Sequence, residues 1–209
     1  MQKTGAKGDS YYGRVAQNYE KRRKKQEWWD VEQNEMKSLL ETLPEGLSVV
    51  DIPFGTGRFV PFYLERQFDI SGLDASIEML NAASQSLGSN LQKCRVSTGS
   101  AMDLPFADEQ FDLLVSTRFL RDIIVAKDAL KALDEFARVT KQFAIIQLGE
   151  SISKDGEEID PDHILESRMS DKDNKKMLKD AGFKIVEKRL VKTDKDMNSQ
   201  IFHFLVKKM

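Results

Sequence analysis

The 209-residue chain carries a single cysteine, Cys94, which excludes an internal disulfide and makes a thiolate zinc site a poor fit. Histidine is scarce too, with only His163 and His203 present. No apolar run approaches the roughly 20 residues that span a bilayer; the longest, such as Phe143 to Leu148, are strand-sized. The opening MQKTGAKGDS lacks the apolar core of a secretory signal, which predicts a cytoplasmic protein. Charge of one sign is missing as well. With 32 basic and 34 acidic residues the net charge is -2, so nothing draws the whole chain to nucleic acid or to an anionic membrane. The one local exception, KRRKK at 21–25, is flanked by Glu20 and Glu27 and reads as a solvated helix face.

What is present is a globular composition, 40% hydrophobic and 32% charged, of a length suited to one domain with appendages. From Ser10 to Leu43 the pattern is helical and long enough to divide near Gln26. Trp28, Val31, Met36, Leu39, Leu40 and Leu43 mark the apolar stripe of the second half, and Pro44 and Gly46 end it. Strand-like and helix-like stretches then alternate. Leu47 to Ile52 is a short β-branched run, followed by helical sequence from Arg58 to Gln67 and a second strand, FDISGLD, ending on Asp74. A helix opens at Ser76, with Ile77, Leu80, Ala83 and Leu87 on its stripe and Gly88 as its stop. QKCRVSTGS and FDLLVST read as the third and fourth strands. A helix over 127–140 (stripe Leu130, Leu133, Phe136, Ala137) leads to the fifth, QFAIIQLGE. The stretch 151–170 is polar and turn-rich. A helix from Asp171 to Ala181 and the antiparallel pair FKIVEKRLVK and QIFHFLVKK complete the chain.

Such alternation implies a parallel sheet with helices on both faces, and ligands of such sheets sit at the carboxyl ends of the strands. At the first of these ends, DIPFGTGRF places Gly55 and Gly57 where the chain can turn tightly and bring backbone N–H groups and a helix N-terminus to a ligand. A phosphate-cradling loop of the Walker type is excluded, because Arg58 and Phe59 stand where Lys and Ser or Thr are needed. Asp74 ends the second strand about 20 residues on, the position from which an acid accepts hydrogen bonds from both ribose hydroxyls. The pair predicts an adenosine-type ligand.

VVDIPFGTGRF, GLDASIEMLNAA, GSAMDLPFADEQFDLLVS and ALDEFARVTK, in that order and spacing, resemble the successive motifs of class I S-adenosylmethionine-dependent methyltransferases. The resemblance covers roughly Tyr11 to Gly149. It implies a Rossmann-like α/β fold whose mostly parallel seven-stranded sheet has the order 3-2-1-4-5-7-6, with the last strand antiparallel. It also implies an N-terminal helical lid over 1–45 and a methyltransferase domain over 46–209. The implied cofactor is S-adenosyl-L-methionine, with Asp51, Gly55 and Gly57 around its methionyl part, Asp74 on the ribose, and Pro53 and Thr117 among its further contacts. Ala75, Ile77 or Met79, Ser100, Ala101 and Met102 would lie near the adenine. YYGRVAQNYE resembles the family's Tyr-rich lid helix, so Tyr19 is either a cofactor contact or a buried anchor.

Two departures stand out. Pro53 and Phe54 replace a glycine-rich start to the loop, removing one N–H donor and setting an aromatic ring beside the cofactor. In STRFLRDII, Arg118 and Arg121 with Asp122 form either an anion-binding pair for the acceptor or a surface ion pair. No base declares itself. Arg121, Asp122 and His163 are weak catalytic candidates, Tyr11 and Glu150 weaker ones, and His203 reads as structural. The implied function is O- or N-methylation of a small, possibly anionic molecule, without nucleic acid or membrane as partner. The alternatives are a cofactor-binding enzyme with other chemistry and a noncatalytic partner subunit.

Overall fold

The computed structural model describes residues 23–120, 125–152, 169–195 and 198–209. Its elements are α1 (Trp29–Glu41), β1 (Ser48–Asp51), α2 (Val60–Glu65), β2 (Asp69–Asp74), α3 (Ile77–Leu87), β3 (Cys94–Thr98), β4 (Phe111–Ser116), α4 (Ala126–Val139), β5 (Thr140–Ser151), α5 (Asp171–Asp180), β6 (Phe183–Asp194) and β7 (Ser199–Lys208). A 3-10 stretch, Gly88–Lys93, joins α3 to β3.

The strands form one sheet in the order β3-β2-β1-β4-β5-β7-β6. β1 to β5 pair in parallel, and β7 runs antiparallel to both β5 and β6. This is the predicted sheet. Strands buried on both faces explain the paired apolar residues at successive positions, because side chains alternate across a strand. Val50, Leu114, Ile146 and Val206 belong to the core under α4 and α5. Their neighbours Val49, Leu113, Ile145 and Leu205 belong to the core that takes Met36, Leu39 and Leu40 of α1 and Val60 and Tyr63 of α2. Each such side chain contributes on the order of 1.5–3 kcal/mol by leaving water.

The helices follow their sequence signals with adjustments. Ser76 caps α3 by accepting from the Met79 N–H, and Gly88 stops it. α5 opens on a reciprocal capping box between Ser170 and Asp173. Three residues assigned to apolar stripes face solvent instead: Val31 is 43% exposed, Ile77 55% and Leu130 50%. In α1 the face that packs is Glu32, Met36, Leu39 and Leu40, an i, i+4, i+7, i+8 set that leaves Val31 far around the helix. A carboxylate thus occupies a core position.

Register places the site. Asp51 at the end of β1 lies level with Gly72 of β2 and Val115 of β4, and Asp74 lies level with Thr98 of β3. Gly72 is small for a packing reason: a Cβ there would come within 2.7 Å of the Phe54 ring Cγ. Gly72→Ala should therefore lower stability by about 1–3 kcal/mol through overpacking, read from urea unfolding midpoints. Pairing it with Phe54→Leu should recover part of that loss.

Candidate functional site

Beyond β1 the chain stays on the sheet edge. The Phe54 N–H donates to the Leu73 carbonyl at 2.9 Å, and the Phe54 ring, 3% exposed, packs down into the core on Gly72. The ring therefore lies beneath the loop, not beside a ligand as the sequence suggested. Its apolar surface gains more from the core than from the open edge.

Gly55 turns with φ of 58° and donates its N–H to Asp74 Oδ2 at 2.7 Å, while Asp74 Oδ1 accepts from the Ser76 N–H at 2.9 Å. One carboxylate thereby ties the β1 loop to the start of α3. The Gly57 N–H donates to the Phe54 carbonyl at 2.9 Å, so both glycine donors are used within the protein. The expected helix terminus is also reduced, since α2 begins only at Val60 and has six residues. What the glycines supply is conformation, both having positive φ, and at Gly57 close packing: a Cβ there would come within 2.6 Å of Leu87 Cδ1 and 2.9 Å of the Phe54 ring.

The other named residues gather along the same edge. Asp74 is 6% exposed and raised above the usual carboxylate range by burial, an effect opposed by its two backbone donors. Each of its oxygens keeps a second lone pair. The Gly99 N–H donates to the Asp74 carbonyl at 3.1 Å, bringing the end of β3 alongside. There Ser100 is exposed and its Oγ accepts from the Met102 N–H at 3.2 Å; Met102 and Ala75 are exposed, Ala101 and Met79 buried. Pro53 is half-buried. Asp51 is buried, accepts from the Tyr63 hydroxyl at 3.0 Å, and is pushed up to about 7 by desolvation. Acidic and small residues at this edge thus fit an adenosine ligand: a fixed carboxylate for hydroxyls, bordered by Ala75, Ser100 and a flexible thioether.

Beside this edge lies a network that the residue pattern did not reveal. Glu32 Oε2 of α1 accepts from Arg58 Nη1 at 2.6 Å and from Arg118 Nη2 at 2.5 Å, and Glu32 Oε1 accepts from Gln147 Nε2 at 2.6 Å. Gln147 Oε1 accepts the Arg118 backbone N–H at 3.1 Å, and Arg58 Nη2 reaches Thr117 Oγ1 at 3.5 Å. Trp28 and Trp29 lie over the guanidinium groups of Arg118 and Arg58, at 4.0 and 5.3 Å. Burial alone would raise the Glu32 carboxyl, but the two arginines hold it far below the usual range. Arg118, 7% exposed, is therefore committed to Glu32 and lends no support to an anion site for the acceptor. The available signal was the charged residue on the α1 apolar stripe.

His203 on β7 is fully buried, with Nε2 at 3.0 Å from Gln147 Nε2. Because that amide nitrogen donates, Nε2 accepts and the proton belongs on Nδ1. Its role is structural, as its alternation with apolar residues implied. Glu150 is likewise engaged, by Lys188 Nζ at 2.7 Å and Asn174 Nδ2 at 3.4 Å. Tyr11, Tyr19, Arg121, Asp122 and His163 lie outside the described residues.

Desolvation lowers His203 to about 4 and raises Asp51 to about 7. The folded state thus refuses a proton on His203 that the unfolded chain takes up below about 6.5, so His203 removes stability as pH falls from 6.5 to 4. Asp51 works oppositely: its folded form keeps a proton that the unfolded chain loses above about 4, so it removes stability as pH rises from 4 to 7. The two should nearly cancel in the native protein. In urea unfolding between pH 4.5 and 6.5, His203→Gln should become more stable toward acid, and Asp51→Asn less stable, by about 2–3 kcal/mol across the window.

Residues 49–142 match a family model described as a methyltransferase domain. A stretch of 105 residues is 35% identical to a demethylmenaquinone methyltransferase of Bacillus licheniformis, covering 49% of this chain and 44% of that protein. The chain thus spans less than half the length of this curated relative. Among solved structures, the magnesium protoporphyrin IX methyltransferase of Synechocystis PCC 6803 with bound S-adenosylhomocysteine superposes with a TM-score of 0.73 at 14% identity, covering 96% of this chain and 97% of that one. The [4+2]-cyclase SpnF superposes with a TM-score of 0.68 at 15% identity, covering 83% and 80%. None of the described helices is long and apolar enough to cross a membrane. The family-model match over 49–142 and the strand order are those that the resemblance to class I S-adenosylmethionine-dependent methyltransferases implied.

Proposed function

We propose that the chain binds S-adenosylmethionine at the carboxyl edge of β1, β2 and β3 and transfers its methyl group to oxygen or nitrogen of a small molecule. The observation that carries this reading is the Asp74 carboxylate, oriented by the Gly55 and Ser76 N–H groups at 2.7 and 2.9 Å beside exposed Ala75. Asp74 would accept from the ribose hydroxyls, with Ala75, Met79, Ser100, Ala101 and Met102 bordering the adenine. Asp51, Pro53, Gly55, Gly57, Thr117 and Tyr19 would surround the amino-acid end. The bound cofactor supplies a methyl group on a positively charged sulfur. The chain's part is to hold donor and acceptor in line and to exclude water, for which a nucleophilic acceptor needs no protein base. A small-molecule acceptor is in keeping with the demethylmenaquinone and magnesium protoporphyrin IX methyltransferases that it resembles.

The cyclase's likeness in fold supports a second reading, a cofactor-binding enzyme with other chemistry. Incubation with methyl-labelled S-adenosylmethionine and a panel of small hydroxyl- and amine-bearing molecules separates the two: label on an acceptor favours the first, and cofactor breakdown without transfer, or conversion of a molecule with the cofactor unchanged, favours the second.

Calorimetry with S-adenosylhomocysteine tests the site itself. The intact protein should bind it, and Asp74→Ala should weaken binding by about 1–3 kcal/mol through the loss of hydrogen bonds to a charged group. Absence of binding by the intact protein would overturn the assignment.

A further inference from the structure

The Glu32 network has features that stability alone does not explain. A buried carboxylate shared by two guanidinium groups is costly to desolvate, and apolar residues of similar volume commonly serve stability as well or better. Here Glu32 is 0% exposed and stands on an otherwise apolar stripe of α1, where leucine or methionine would fit the pattern. Its partners are not scattered. Arg58 directly follows Gly57 of the loop after β1, and Arg118 follows Thr117 beyond β4, so the two arginines stem from two segments that rise from the carboxyl ends of neighbouring strands.

Arg118 also has φ of 55°, a left-handed conformation that is strained for a non-glycine residue and persists only where neighbours over-determine it. The neighbours are on hand: Gln147 Oε1 holds its backbone N–H at 3.1 Å, Glu32 holds its Nε and Nη2 at 3.3 and 2.5 Å, and Trp28 covers its guanidinium. Gln147 in turn donates to Glu32 at 2.6 Å, so the same carboxylate fixes both the side chain and, through the amide, the backbone of Arg118. On the other side Arg58 joins Glu32 to Thr117, and its charge bears on Asp51 at the end of β1.

We propose that Glu32 is a positioning residue of the proposed cofactor edge: through Arg58, Arg118 and Gln147 it sets the β1 loop and the turn after β4 against each other, coupling the docking of α1 to ligand binding. The inference rests on the reading of this edge as the S-adenosylmethionine site. Glu32 itself touches no ligand in this scheme. Because coupling is reciprocal, a ligand that favours the set arrangement must also favour a docked α1.

The test uses the full chain and S-adenosylhomocysteine. Glu32→Gln should weaken binding about tenfold or more in calorimetry, Glu32→Asp should recover part of the loss, and Glu35→Gln should leave affinity unchanged. Glu35 lies on the same helix in a looser pair with Arg189, at 3.5 Å. A folded Glu32→Gln protein that binds with native affinity would overturn the proposal, whatever its loss of thermal stability. Hydrogen exchange on the native protein decides the case if that variant does not fold. Saturating S-adenosylhomocysteine should slow exchange across α1 more than across α5, which packs on the opposite face of the sheet; equal protection of the two would also overturn it. A native protein that binds no S-adenosylhomocysteine is a different result, because it removes the functional reading itself.

Discussion

The geometry of the sheet's carboxyl edge depends on one carboxylate with two backbone donors. Asp74 ends β2 and takes the N–H groups of Gly55 and Ser76, so the loop after β1 and the first turn of α3 share an anchor. A buried acid without those donors would be a liability, since a charged group away from water must be hydrogen-bonded to persist. With them it becomes a fixed acceptor at the sheet edge. Phe54 completes the arrangement from below: its ring fills the space that Gly72 leaves, and its N–H extends the pairing along β2. The loop is held by packing underneath and by a carboxylate at its rim.

A second anchor stands across the edge. Glu32 gathers Arg58, Arg118 and Gln147, which come from the loop, the β4 turn and β5, and reaches His203 on β7 through the glutamine. Each guanidinium is backed by a tryptophan face at the start of α1, Trp28 before its first residue and Trp29 as that residue. Breaking one partner of such a buried cluster typically costs about 3–5 kcal/mol, because it strands the remaining charge. The cluster therefore specifies one arrangement of four elements more sharply than an apolar contact of equal area, whose energy varies little with small shifts.

The alternation of strand-like and helix-like stretches was enough to place every strand, and most plainly the central ones, whose burial on both faces leaves runs such as VVDI and AIIQL. Asp74 was legible because an acid at the end of a second strand has few other reasons to follow a glycine turn at that spacing. Ser76 and Gly88 were legible as helix boundaries because capping is a local matter. Three stripe positions were not. Val31, Ile77 and Leu130 are apolar and near the right period, yet the packed face of each helix is set by which neighbour it meets, not by its own composition.

Sequence alone determined the fold class, the strand order implied by its motifs, and the gathering of Asp51, Gly55 and Asp74 at one edge. The fold class follows from local periodicity and from short-range turn and cap chemistry, the strand order from the resemblance of the motifs to those of a known family. Tertiary structure alone decided that Phe54 points into the core, that the glycine N–H groups serve the protein itself, and that Arg118 belongs to Glu32, 86 residues away. Such choices depend on which groups are brought together in space and how far they are removed from water. A carboxylate that looks like any solvated helix residue becomes the centre of a network only once a sheet has closed over it.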